Sequence, residues 1–294
     1  MPSEKPVVLL ATCSAMPDGE EWTGTDHLPR AFEAREVDAR WVVWDDPAVD
    51  WSAGLVAVRS TWDYETRREE FLAWTRSLPW LLNSAAVFAW NTDKSYLVPL
   101  GEAVPVVPSV VVDGEEDLPM AIAEVSSGEN ASAVVKPTVG AGGRGVILFD
   151  GVEGGPIALD ESGLGPGPWV VQPLVESVST EGEVSVFVLD GQVVSQARKL
   201  PAAGEIRVHE QYGGTTVAVP LDDEAADLAR RTVEAAGALL GETLDYARVD
   251  QMRLADGRLA VSELEVTEPG LYLDVLPGNA DVFADLVVSR LRAH

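Results

Sequence analysis

The sequence predicts a mixed α/β protein in three units, with a parallel sheet first and antiparallel sheets after it. Three observations predict it. Over about the first 88 residues, short apolar runs alternate with helical stretches; near residue 140 a glycine-rich loop lies between two β-rich runs; and two long alternating strand pairs turn at Asp-Gly in the last third. Of the 294 residues, 46% are hydrophobic and 23% charged, enough to build cores for two or three domains.

The first unit, residues 1–90, carries the strand candidates VVLLATC, RWVVWD and GLVAVR, a parallel α/β pattern. Between residues 65 and 78, helical spacing puts Phe71, Trp74 and Leu78 on one face. VVLLATC is too short to span a bilayer and follows a mixed-charge lead, so it reads as a strand, and the expected location is the cytoplasm. Cys13 is the only cysteine, which rules out an internal disulfide, and the Cys/His spacings of zinc sites are missing; a buried small hydrophobe is expected. The second unit, residues 91–172, holds strands, the helix candidate DLPMAIAEV and Gly-Pro breaks such as EGGPIALDESGLGPGP. The third, residues 173–294, adds the amphipathic helix DDEAADLARRTVEAAGALL and a closing helix near 280–292. A net charge of −27 repels nucleic acid and anionic lipid, so neither is expected as a partner, and an anionic substrate needs a local basic site.

VVKPTVGAGGRGVILF, residues 134–149, spells G-x-G-x-x-G at Gly140, Gly142 and Gly145. A dinucleotide fingerprint would open a helix. Here Lys136-Pro137 precedes the loop and VILF follows it, which makes a hairpin tip, and no Lys-Ser or Lys-Thr follows as a P-loop requires. Bare backbone N–H groups at Gly140, Gly142, Gly143 and Gly145 can close over phosphates; the alternative is a turn without a ligand.

In LDYARVDQMRLADGRLAVSELEV the Asp256-Gly257 pair is a hairpin signal. Counting back from a two-residue loop sets Asp250 opposite Glu263 and Arg248 opposite Glu265, all on one face, which toward the turn carries Met252, Leu254, Leu259 and Val261. Opposed carboxylates with Cβ atoms about 5 Å apart repel, and a divalent cation with oxygen ligands would compensate. The alternative is a solvated strand end on which Arg248 pairs Glu265. The other pair, turning at Asp190-Gly191, sets Glu183 opposite Arg198, by itself an exposed salt bridge of little worth.

Together these residues resemble the ATP-grasp superfamily of carboxylate ligases. In order, the matching features are Lys94 in NTDKSYL, Lys136 in VVKP, GAGGRG, VVQPLVES, Glu183, Arg248 and Asp250 in ARVD, and Glu263 and Glu265 in ELEVTEPG. The nearest subgroups are the glutathione synthetase and ribosomal-protein-modifying ligases; the ARVD hairpin is also similar to D-alanyl-D-alanine ligase. Size and first-domain style resemble a subgroup from antibiotic-producing bacteria that includes the ligase closing the cycloserine ring. The resemblance implies an ATP-grasp fold: an N-terminal Rossmann-like α/β domain, a small central lid, a C-terminal antiparallel-sheet domain, and ATP between the last two. It implies Lys94 and Lys136 on the phosphates, Gln172, Leu174 and Val175 meeting adenine, Glu183 on the ribose, and Asp250, Glu263 and Glu265 holding one or two Mg2+, with Arg248 steadying the transferred phosphoryl. Two positions depart from it. Relatives commonly carry Asn at 265, and the extra carboxylate would tighten Mg2+ or favour Mn2+; glutathione synthetase carries Arg where Ser185 stands.

The implied chemistry is phosphorylation of a carboxylate to an acyl phosphate and attack by an amine-type nucleophile, within one molecule or between two. Positioning and charge neutralisation carry most of it. Arg198, Lys199 and Arg207 are the candidate cations for the carboxylate, the last within KLPAAGEIRVHEQYGGTT, read as a mobile flap with His209 in it; the alternatives are an idle surface loop and a solvated histidine. Arg59, Trp62, Asp63 and Tyr64 follow the third strand candidate, at the end where open α/β sheets bind ligands, and are assigned to the substrate, with Asp63 to receive an ammonium group. Alternatively Trp62 and Tyr64 pack the domain edge. Thr267 and Gly270 would border the acyl group. The partner is a small molecule, and homo-oligomerisation stays open. Two competing readings are a nonenzymatic nucleotide-binding module and a nicotinamide (NAD) oxidoreductase, the latter resting on the glycine spelling alone.

Overall fold

The structure is a computed structural model that describes residues 5–19, 26–126, 132–150 and 163–293. Strands β1 (Val7–Thr12), β2 (Asp38–Val43) and β3 (Leu55–Ser60) make a parallel sheet ordered β2-β1-β3. Every residue of β3 is buried, as in a sheet covered on both faces, with Cys13 in the same core. Around it lie α1 (His27–Glu33), α2 (Arg68–Ser77) and α3 (Ala85–Asn91). The helix expected from residue 65 starts later: Tyr64–Thr66 form a 3-10 turn, and Arg67 leaves helical geometry at φ −138°. Tertiary bonds hold it there, with Asp45 and Asp63 each 2.7 Å from the guanidinium and the Trp44 ring 4.5 Å below it. Phe71, Trp74 and Leu78 still share one core.

A second sheet, antiparallel and ordered β4-β7-β5-β6, joins β4 (Val110–Val112), β5 (Ser132–Pro137), β6 (Ile147–Asp150) and β7 (Trp169–Pro173), with α4 (Leu97–Leu100) before it and α5 (Leu118–Val125) on it. GAGGRG is the tip of the β5–β6 hairpin. Most of the Gly-Pro stretch EGGPIALDESGLGPGP lies outside the described residues.

The third sheet runs β10-β9-β8-β11-β12 from β8 (Glu183–Leu189), β9 (Gln192–Leu200), β10 (Thr215–Val219), β11 (Tyr246–Arg253) and β12 (Leu259–Glu265). Helix α6 (Asp223–Leu240) begins where the Asp222 carboxylate accepts the Ala225 N–H and ends at Gly241, φ 68°. Its Leu228, Ala229 and Val233 close one face of this sheet, while α7 (Gly278–Ala293) packs Phe283 edge-on against Phe32 of α1, tying the first unit to the last. Among the described residues no helix is long and apolar enough to cross a membrane.

Two β-bulges set the registers. In β11–β12 the loop has three residues, with Leu254 N–H bonded to the Arg258 carbonyl and Gly257 at φ 86°, which shifts the pairing by one from the two-residue expectation. A bulge at Ser262 shifts it back, so Asp250 faces Glu263 and Arg248 faces Glu265 as counted. Toward the turn the correction is real: Ala260 joins Met252 and Leu254 on that face, while Leu259 and Val261 enter the opposite core. In β8–β9 a bulge near Val194 displaces the far end, and Glu183 pairs with Lys199 instead of Arg198.

Candidate functional site

A cavity of about 620 Å³ opens between the second and third sheets, under the glycine loop. Its floor is an ionic network on adjacent strands of the third sheet. Arg248 grips Asp250 with two bonds of 3.0 Å and reaches across β12 to Glu265. Lys199, 3% exposed, lies 3.0 Å from Asp250 and also pairs Glu183. Ser185 donates to Asp250 at 2.6 Å, and bulged Ser262 donates to Glu183 at 2.9 Å. Burial pushes Asp250 up, but Arg248 and Lys199 overcome it and hold its carboxyl well below the usual range. For Lys199 burial works downward and Asp250 and Glu183 win, raising it well above its ordinary value.

On the roof side, Lys94 lies 3.2 Å from Glu263 and donates to the Gly140 carbonyl at 2.6 Å. Lys136 faces the same space, its ammonium lowered by burial. The glycine loop is clasped from both sides. Glu65 accepts the Ala141 N–H at 2.7 Å and pairs Arg144, and Gln211 donates to the Gly142 carbonyl at 2.5 Å. Gly142 and Gly143 have φ of 60° and 69°, and a Cβ on Gly143 would stand 3.1 Å from His209 Nδ1. The segment read as a flap covers the cavity with Ile206 to Gln211.

Most residues singled out from the sequence converge here: the two lysines, Gly140, Gly142 and Gly143, the stretch Gln172 to Val175, Glu183, Arg207, the four charges of the β11–β12 hairpin, and Gly270. Trp62 and Tyr64 line it too, and Tyr64 also packs 5.2 Å from Phe71, as the edge-packing alternative expects. Five do not converge. Arg198 is exposed because the β8–β9 bulge turns it outward and Lys199 inward. Asp63 is held by Trp44 Nε1 and Arg67. Arg59 is fully buried over Phe283, its guanidinium 4.8 Å from that ring and bonded to the Pro269 carbonyl. Thr267 is buried behind the cavity-lining Asn91, to which it is bonded, and does not line the cavity itself. Gly145 lies at the loop base, where a Cβ would come within 2.8 Å of Gly165.

Sequence reasoning passed over Tyr272, and it took in Glu268 only as part of the stretch from Thr267 to Gly270. Tyr272, at φ 53°, stacks its ring 5.0 Å from Arg248 and 5.9 Å from Lys199; nothing local signals an aromatic in left-handed geometry. Glu268 lines the cavity, and its place in ELEVTEPG was a visible signal.

Among the described residues no three Asp, Glu, His or Cys side chains form a ready-made cation cage. Both Asp250 oxygens are occupied, contrary to a free metal ligand. Glu263 and Glu265 instead keep 29% and 25% of their side chains exposed toward the cavity. Burial, with Asp250 and Glu263 nearby, pushes Glu265 up to about 7 despite Arg248. Such crowded oxygens fit a hard divalent cation that draws its remaining ligands from water and phosphate.

Comparison with known proteins shows what the chain is similar to. Residues 8–83 match the family model of the D-cycloserine synthetase N-terminal domain, and residues 106–247 that of the prokaryotic glutathione synthetase ATP-grasp domain. The cycloserine biosynthesis protein DcsG of Streptomyces lavendulae is 32% identical over 263 residues, 85% of this chain and 87% of that one. A probable alpha-L-glutamate ligase of Haemophilus influenzae is 28% identical over 70% of this chain and 65% of its own. The crystal structure of D-cycloserine synthetase superposes with a TM-score of 0.82 at 29% identity, covering 97% of this chain and 99% of that one.

Proposed function

The chain belongs to the ATP-grasp ligases, ATP-dependent enzymes that form C–N bonds with a divalent cation, and on that premise we propose that it closes a small amino-acid-like carboxylate into a ring amide. What supports this reading is that the likeness to cycloserine synthetase runs through the first unit as well as the nucleotide site. Cycloserine, named in that relative's description, is a ring amide whose ring-opened acid carries a carboxylate and an aminooxy nitrogen in one molecule.

ATP supplies the phosphoryl group that makes the carboxylate a leaving-group acyl phosphate, and Mg2+ is the cation this donor set suits. Lys94 and Lys136 neutralise phosphate oxygens, and the backbone of Gly140, Gly142 and Gly143 closes over them. The backbone from Gln172 to Val175 meets the adenine, and Glu183 accepts the ribose hydroxyls. Glu263 and Glu265 would hold the cation, with Asp250 beside them as the third carboxylate. Arg248 would receive the reacting carboxylate and steady the charge that develops on it, with Arg207, which Glu205 holds at 2.7 Å, beside it. Trp62, Tyr64 and Gly270 bound the substrate, and the enzyme works in the cytoplasm.

The test is ADP release with MgATP and β-aminooxyalanine, the ring-opened acid, with product mass separating a ring from a coupled dimer. Glu263→Gln should abolish release; full turnover in that variant would sink the metal assignment.

A further inference from the structure

Glu268, just past β12, is 8% exposed and faces the cavity, and its carboxylate has no hydrogen-bond or ion-pair partner among the described residues. The backbone around it is pinned to the first unit, the Glu268 carbonyl accepting from Trp62 Nε1 at 3.3 Å and the Pro269 carbonyl from Arg59 at 2.5 Å. Of the nearby charges it acts most strongly on the Tyr64 hydroxyl. Burial, with Glu265 nearby, pushes its own carboxyl up to about 8.

A buried carboxylate without a partner loses hydration with nothing to offset it, so a cation brought by a ligand would relieve it. Two observations indicate which cation. Asp63, which the sequence suggested for a substrate ammonium, is already spent on Trp44 and Arg67. Glu268 shares its wall with Trp62 and Tyr64, and aromatic neighbours suit an organic ammonium better than a hydrated metal ion.

We propose that Glu268 receives the amine of the substrate and so restricts the enzyme to amino acids, which rests on the ligase reading above. Acids lacking that amine leave Glu268 unpaired and are refused.

The experiment compares β-aminooxyalanine, both enantiomers, with β-aminooxypropionate, the same acid without the amine, by MgATP-dependent ADP release. Wild type should prefer the amino acid by about 100-fold in kcat/KM, as losing one partner of a buried charge pair does. Glu268→Gln should lose that preference while KM for ATP stays within about twofold, and Glu268→Asp should keep part of it. A preference undiminished in Glu268→Gln overturns the proposal, as does a changed divalent-cation requirement in place of a changed preference. A second arm needs no turnover: calorimetric binding of cycloserine and of isoxazolidin-3-one, its ring without the amine, to the protein with MgADP. If wild type turns over neither acid, the ring-closing reading fails for this substrate, and the binding arm still decides Glu268. Amine-dependent binding lost in Glu268→Gln supports it; equal binding of both rings to wild type refutes it.

Discussion

Lys199 and Arg198 are neighbours in sequence with opposite fates. Lys199 is sealed against Glu183 and Asp250, whereas Arg198 points to solvent. Lys199→Met should cost about 3–5 kcal/mol, because it leaves the buried Glu183 carboxylate without a cation and Asp250 with Arg248 alone. Arg198→Ala should stay within about 0.5 kcal/mol and leave ADP release unchanged. Urea unfolding of both variants checks the contrast. Charge and proximity alone made the two look interchangeable, and the bulge near Val194 separates them.

At the scale of elements, the glycine loop and the segment over it are one device. A β-branched residue at Gly143 meets both the positive φ and the His209 ring, a strain of about 1–3 kcal/mol in the closed loop. Gly143→Val should therefore lower ATP turnover about tenfold or more with an unchanged circular dichroism spectrum. His209 itself gives the segment a pH dependence. Burial lowers its imidazole from 6.5 to about 4, so the folded protein prefers it neutral, and the unfolded chain takes up the proton first as pH falls. That penalty is absent above pH 6.5 and grows as pH drops toward 4. The unfolding free energy of wild type should fall more steeply over that window than that of His209→Gln.

At the scale of the whole molecule, Asn83 links the first unit to the third. Held at φ 55°, it donates to the carbonyls of Tyr246 at 3.2 Å and Val266 at 2.8 Å and accepts the Asp245 N–H at 2.7 Å. Asn83→Ala loses these bonds in a buried place and keeps the unfavourable backbone, so it should destabilise by about 2–4 kcal/mol, read in the urea midpoint. A loss below about 0.5 kcal/mol would mean the units hold together without it. Glu65 makes a second link, from the first unit to the glycine loop over the cavity.

The sequence by itself determined the elements and most of the site, because the information was local. Period-2 alternation placed the hairpins, glycine beside Lys-Pro made a loop rather than a helix start, and the pairing of Asp250 with Glu263 and Arg248 with Glu265 was countable from one Asp-Gly turn. That count succeeded although two compensating irregularities, a three-residue loop and the Ser262 bulge, lie between turn and site, so Leu259 and Val261 were misassigned while the charges were not. Only the tertiary structure decided which charges are spent. Asp63, Arg59 and Thr267 look like site residues in a linear reading, yet each is engaged elsewhere: Asp63 by Arg67 and Trp44, Arg59 by the Pro269 carbonyl, and Thr267 by Asn91. Glu268 is the reverse, a carboxylate that folding buries and leaves unpaired among the described residues. Hydrogen-bond and charge satisfaction is settled by long-range packing, and a linear pattern carries no record of it.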